Sequence, residues 1–244
     1  MKRNGFQAVA SLSFAVILIL GAAGRARAQG GRTSYPSMAP IEQYLMTDRD
    51  AEIALARSAA PEAISRDATI LVLRRHGYET ALEGKNGFVC AVERAWMGPF
   101  NGAEFWNPKV RGPLCFNPPA ARSVLPLTYK RTEMILAGKS KAQIIDAIKA
   151  AYEKKEFPAL EPGGMCYMMS KQAYLTDGGL TDDGAHNMAH LMFYTALADG
   201  AVWGANLPKS PVILNPQFNG APEPIDVFMV LTGTWSDGTP APLM

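Results

Sequence analysis

Apolar and polar positions along the chain change period several times, and each change marks an element. From Pro40, apolar residues Ile41, Tyr44, Leu45, Ala51 and Leu55 recur at helical spacing, and proline suits a first helical position. Pro61 closes that region. "DATILVLRR" is rich in β-branched residues and reads as a buried strand. In "GYETALEGKNGFVCAVER" two strand-like runs flank "EGKNG", where Asn86-Gly87 suits a tight turn. Phe88, Cys90 and Val92 then share one face by period-two alternation. A three-stranded antiparallel start over residues 69–94 is expected, with His76 exposed or half-exposed near its first turn.

Helical spacing returns in "SVLPLTYKRTEMILAG", which ends at Gly138. It recurs in "SKAQIIDAIKAAYEKKEF", where Ser140 and Gln143 form a capping box. Ile144, Ile145, Ile148, Ala151 and Tyr152 make the apolar stripe of that helix, and Lys154 and Lys155 complement its negative end. "GGMCYMMSK" reads as a strand. A helix over roughly 184–198 follows, then short strands in "AVWGA", "SPVILNP" and "IDVFMVLTGTW". This order predicts a single α+β domain over residues 40–236, an antiparallel sheet with helices packed on it. Residues 29–39 form a flexible lead-in and 237–244 a loose tail.

The first 28 residues do not fit that domain. Lys2 and Arg3 precede an uncharged run around "FAVILIL", and Ala26 and Ala28 form a small-x-small cleavage pattern. This reads as a secretory signal peptide, cleaved after Ala28, that sends the protein to the periplasm or the medium. The whole chain carries 24 basic and 22 acidic residues. Loss of Lys2, Arg3, Arg25 and Arg27 leaves 20 against 22, a formal charge of −2. No basic face remains to neutralise phosphates, so nucleic-acid binding is set aside. The later apolar runs are strand-sized, so no membrane span is expected after cleavage.

Residues 95–119, "AWMGPFNGAEFWNPKVRGPLCFNPP", are dense in proline, glycine and aromatic rings. Aromatics argue against disorder, so an ordered loop covers the sheet or lines a pocket. Trp96, Phe105, Trp106 and Arg111 are its candidate binding residues. Three cysteines, Cys90, Cys115 and Cys166, leave at least one unpaired. Cys90 with Cys115 is the preferred disulfide because it closes the shortest loop. Thioredoxin-type and c-type haem motifs are missing. "AGKS" is not a phosphate loop, since Glu133 stands where that motif needs glycine.

"DDGAHNMAHLMFY" places His186 and His190 one helical turn apart. With Asp182 or Asp183 they could hold a divalent metal such as zinc. Asn187 stands where a zinc protease has its glutamate base, and the segment is apolar nearly all round, as packed helices are.

Several stretches together, "AEIALARSAAPEAIS", "NGFVCAVERAW", "FWNPKVRGPLCFNPPAARSVLP" and "HLMFY", resemble a group of exported bacterial proteins of no known activity. The resemblance implies one exported domain and transfers no site. The leading expectation is a non-catalytic domain that binds a small molecule or a protein, without cofactor. A metal-dependent hydrolase built on His186 and His190 is the alternative.

Overall fold

A computed structural model describes residues 35–175, 188–214 and 222–242, all within one compact unit, Arg32–Met244. Its strands are β1 Thr69–Arg74, β2 Gly77–Leu82, β3 Val89–Glu93, β4 Gly112–Phe116, β5 Met165–Met168, β6 His190–Ala196, β7 Val212–Leu214 and β8 Ile225–Leu231. They form one open sheet in the order β2-β1-β3-β4-β5-β6-β8-β7. Neighbours are antiparallel except β1 and β3, which run parallel. The α+β reading therefore holds, with one change at its start. β2 and β3 do not pair with each other. The 83–88 connection rounds the start of β1, and β3 pairs on the far side of β1 through Thr69 with Val89 and Ile70 with Cys90.

Gly84 explains that crossing. A Cβ there would lie 2.2 Å from the Thr69 backbone nitrogen, so only glycine lets the connection pass so close. Thr69 Oγ1 accepts from the Gly84 N–H at 3.0 Å, and Asp67 O accepts from Lys85 N–H at 2.9 Å. Gly87 does take a positive φ of 78°. Its turn serves the crossing, with the Asn86 amide donating to Ile64 O at 2.8 Å.

The helix expected from Pro40 divides. A 3-10 turn at Ile41–Gln43 precedes α1, Arg49–Arg57. Asp48 starts α1 by accepting from the Asp50 and Ala51 N–H groups at 2.9 and 3.0 Å. Side-chain capping thus outweighs the proline signal. A one-turn α2, Glu62–Ser65, follows.

Period-two alternation gives the sheet two apolar faces. Ile70, Val72, Cys90, Val92 and Cys115 meet Ile53, Leu55 and Ala56 of α1 on one face. Leu71, Leu73, Ala91, Leu114 and Phe116 point to the other. There α3 (Pro118–Ser123), α4 (Leu125–Leu136) and α5 (Lys141–Glu153) add Leu125, Leu127, Ile135, Ile144 and Ile148. β1, β3 and β4 are consequently buried along almost their whole length. β6, β7 and β8 are mostly half-buried, which leaves that end of the sheet less covered.

Helix ends follow the expected chemistry. Gly138, at φ 71°, closes α4: its N–H donates to Ile135 O, and the Lys139 N–H to Met134 O. The Ser140–Gln143 capping box forms in both directions. α5 ends with the same closure, but Lys155 holds the left-handed position at φ 57°. Lys155→Gly should therefore raise stability by about 1 kcal/mol, roughly 2–4 °C in melting temperature. A thermal melt that moved down instead would mean the lysine side chain contributes more than the backbone strain costs.

Two further expectations change. "AVWGA" forms a 3-10 turn, Gly200–Trp203, rather than a strand. The tail is tied down through residue 240. Ser236 N–H donates to Met169 O at 2.9 Å, Lys171 pairs with Asp237 at 2.7 Å, and Thr234 bridges Pro240.

Candidate functional site

The aromatic loop proves to be core. Trp96, Phe105 and Trp106 are 0%, 2% and 7% exposed and share one cluster with Tyr44, Ile135 and Ile144. Hydrogen bonds tie two of them to the rest of the core. The Trp96 indole N–H donates to Thr132 Oγ1 at 3.2 Å, and Tyr44 OH donates to Trp106 O at 2.7 Å. Arg111 turns back on the chain and donates to Pro108 O, Val110 O and Gln43 O. Burial, reinforced by nearby Arg94, pushes its pKa down to about 10. The structure thus gathers the three rings into one buried cluster of the core. Arg111 locks the end of the loop.

The histidine pair loses its premise. Residues 190–196 are strand, so the one-turn spacing that would aim two imidazoles at one ion does not extend to His190. Phe193, Tyr194 and Thr195 favour strand, and the segment has β5 on one side and β8 on the other. His190 is 4% exposed, and its Nδ1 lies 2.5 Å from Met188 O. His186, Asp182 and Asp183 lie outside the described residues. Among the described residues no three His, Cys, Asp or Glu side chains cluster as metal ligands do.

Two other features carry more. The first is a polar seam on the sheet face under α4. Glu93 on β3 accepts from Thr128 Oγ1 at 3.1 Å. One turn along α4, Arg131 binds Glu223 at 2.5 Å and donates to Trp96 O and Gly98 O. On the same sheet face the buried Cys166 thiol lies 3.2 Å from Tyr194 OH. Burial raises both their pKa values, and the Glu93 charge raises them further.

Burial also pushes the Glu93 carboxyl up to about 7, against the smaller opposing effects of Thr128 and Arg131. A raised carboxyl favours the fold while neutral. Its contribution is complete below about pH 4.5 and is lost as pH rises through about 7. Between pH 5 and 8, wild type should therefore lose about 2 kcal/mol relative to Glu93→Gln. Parallel urea titrations of the two proteins across that range measure it. Curves that stay parallel would place Glu93 in water.

The second feature is a loop that leaves large apolar side chains exposed. Leu197, Val202, Trp203 and Leu207 are 58%, 83%, 37% and 58% exposed, and only Tyr129 joins them among exposed large hydrophobics of the described residues. The loop is firmly built. Asp226 Oδ2 accepts from Ala198 N–H at 2.6 Å, Asp199 caps the 3-10 turn, and Trp203 stacks on Phe228 with centroids 4.4 Å apart. Asn206 and Lys209 hold left-handed φ angles of 59° and 64°. Asn206 also plugs the outer edge of β7. Its side chain bonds both Leu214 N–H and Leu214 O, and its own N–H donates to Val212 O. The sequence reading missed this loop because "AVWGA" resembled a buried strand.

Comparison with protein-family models, with curated proteins and with solved structures finds no match.

Proposed function

We propose that the chain is an exported, non-catalytic binding domain that holds a short apolar segment of another protein on its 197–207 loop. The observation that carries this reading is the concentration of exposed large apolar side chains. Four of the five among the described residues fall within that one stretch. Exposed contiguous apolar groups mark interaction sites in soluble proteins. The plugged β7 edge argues against recognition by strand addition, so side chains make the contact. Four side chains fall far short of the roughly 20–30 residues a side that a stable interface uses. That limits the contact to a short segment and disfavours an obligate dimer of this chain.

Export rests on the basic start, apolar run and Ala26-x-Ala28 pattern, and on the resemblance to exported bacterial proteins. A disulfide between Cys90 and Cys115 accords with an oxidising compartment. N-terminal sequencing of protein recovered outside the cytoplasm should begin at Gln29.

The docking reading makes a sharper demand. A photo-crosslinking residue at position 202 or 207 should capture one partner, and one at Lys149 on α5 should not. Mapping should confine the crosslink to a single short peptide. Leu197→Asp with Leu207→Asp should reduce capture at least tenfold, yet shift stability by no more than about 0.5 kcal/mol at each exposed site. Equal capture at Lys149, or capture insensitive to both aspartates, would remove the loop from recognition. Self-crosslinking with a dimer in solution would replace the foreign partner by a second copy.

A further inference from the structure

The two edges of the sheet are finished differently. At β7, Asn206 occupies the outer groups of Val212 and Leu214. β2 is the other edge, at the far end of the strand order. Its register shows which of its groups face outward. Arg74 pairs with Gly77 across the two-residue turn Arg75-His76, so that closing pair is hydrogen-bonded. Bonded and non-bonded pairs then alternate. Leu73 with Tyr78 and Leu71 with Thr80 are non-bonded pairs, so the N–H and C=O groups of Tyr78 and Thr80 point away from β1. Among the described residues none of those groups has a hydrogen-bond partner.

The surroundings select what can pair there. Glu79 lies between the two open residues, opposite Val72 and so on the α1 side, with its side chain 56% exposed. Its cation among the described residues is Arg74 at 3.5 Å, and Arg74 lies closer to Glu52, at 3.1 Å. Arg49 donates to Ala81 O at 2.9 Å, which closes the edge beyond Thr80. On the α4 side Tyr129, 41% exposed, lies against Tyr78 with ring centroids 6.4 Å apart. A second copy of the chain fits this edge badly. The two-fold register that joins Tyr78 to Thr80 in both directions sets Glu79 directly against Glu79. A register centred on Thr80 draws in Ala81 with its Arg49 cover, and one centred on Tyr78 runs into the Arg75-His76 turn.

We propose that β2 is a receptor edge for an extended segment of another protein that carries one basic residue between two apolar ones. The backbone of the segment bonds Tyr78 and Thr80 as an added strand. Its Lys or Arg lies opposite Glu79, and the flanking apolar side chains emerge on the α4 side, toward Tyr129. Backbone pairing supplies the affinity, and Glu79 supplies the selection, since a like charge opposite it is disfavoured. This surface is separate from the 197–207 loop, which is held over β7 and β8 at the other end of the sheet.

The test selects binders from a displayed library of random seven-residue peptides on the wild-type protein, beside Thr80→Pro and Glu79→Lys. Proline at an outward-facing edge position leaves the β1 ladder whole and removes one open donor. Wild type should enrich peptides with Lys or Arg between apolar residues, and their affinity should fall about tenfold for Thr80→Pro. Glu79→Lys, at an exposed site that tolerates exchange, should enrich Asp or Glu in place of the base, and this arm stands even if Thr80→Pro weakens the fold. With an enriched peptide bound, the Tyr78 and Thr80 amide protons should gain protection from exchange, and N-methylation of alternate peptide amides should abolish binding. Peptides that bind wild type and Glu79→Lys alike, protection confined to the 197–207 loop, or no enrichment would each overturn the proposal. A dimer of the protein alone that protects Tyr78 and Thr80 would overturn it in favour of a second copy.

Discussion

Glu52→Ala should cost about 3–5 kcal/mol, roughly 10 °C or more in melting temperature for a domain of this size. Glu52 points from α1 into the core and is 0% exposed. One carboxylate oxygen accepts from Arg94 Nη2 at 2.8 Å and from Leu73 N–H at 3.2 Å, and the other accepts from Arg74 Nη1 at 3.1 Å. Arg94 is 1% exposed and otherwise meets only carbonyls, with Nε donating to Tyr44 O at 2.7 Å and Nη1 to Val92 O. Deleting the carboxylate leaves a guanidinium sealed from water without a countercharge, and that penalty exceeds what the intact pair contributes. The double variant Glu52→Leu, Arg94→Met should therefore be more stable than Glu52→Ala alone. Val92 O keeps its bond from Tyr78 and Arg74 keeps Glu79, so the double variant takes partners from Tyr44 O and the Leu73 N–H, a smaller penalty than a sealed, uncompensated guanidinium. A cost below about 1 kcal/mol for Glu52→Ala would show that water reaches Arg94.

The same residue shows what the sequence could and could not reveal. Glu52 sits between Ala51 and Ile53, and an acid at that point of a helix reads as surface. Its burial depends on Arg94, 42 positions away, and no local pattern announces that pairing. Glu93 is similar. Alternation from Val89 and Ala91 puts it on the apolar face, so the signal existed. Its cover comes from Thr128 on α4, and only the fold supplies that. Local signals were read well where local physics decides. The capping box at Ser140, the glycine closure at Gly138 and the β-branched run of β1 all stand.

Failures arose where two local readings were equally good and a distant partner chose between them. "EGKNG" suits a hairpin, and also a crossing once Gly84 can slip past the start of β1. "HLMFYTA" carries apolar residues at helical and at strand spacing, and periodicity does not separate the two in a short run. Paired strands on both sides select the strand. The outward loop was hidden by the same ambiguity. A run such as "AVWGA" is assigned to the interior whenever it is taken for a strand. Its exposure follows only from the Asp226 and Asn206 bonds that hold it over β7.

Opening the Cys90–Cys115 disulfide should cost about 3 kcal/mol, the chain-entropy value for a loop of this length. The two cysteines oppose each other across the β3–β4 ladder, and the bridge spans 25 positions. That closed loop contains the whole aromatic cover, with Trp96, Phe105 and Trp106 inside it. Ordering this irregular stretch is costly in backbone entropy, and the bridge removes part of that cost by restricting the unfolded chain. Cys90→Ala with Cys115→Ala should shift the urea midpoint down and steepen the slope, because the unfolded chain without the bridge exposes more surface. Both sulfurs are buried between α1 and the sheet, so thiol reductants should act on the native protein only as fast as the domain opens. Cys166 is the internal control, being buried with its thiol on Tyr194. Thiol labelling should find no reactive cysteine in the native protein and one after denaturation without reductant. Three labelled cysteines in denaturant, or a double alanine variant as stable as wild type, would mean that β3 and β4 are held by their ladder alone.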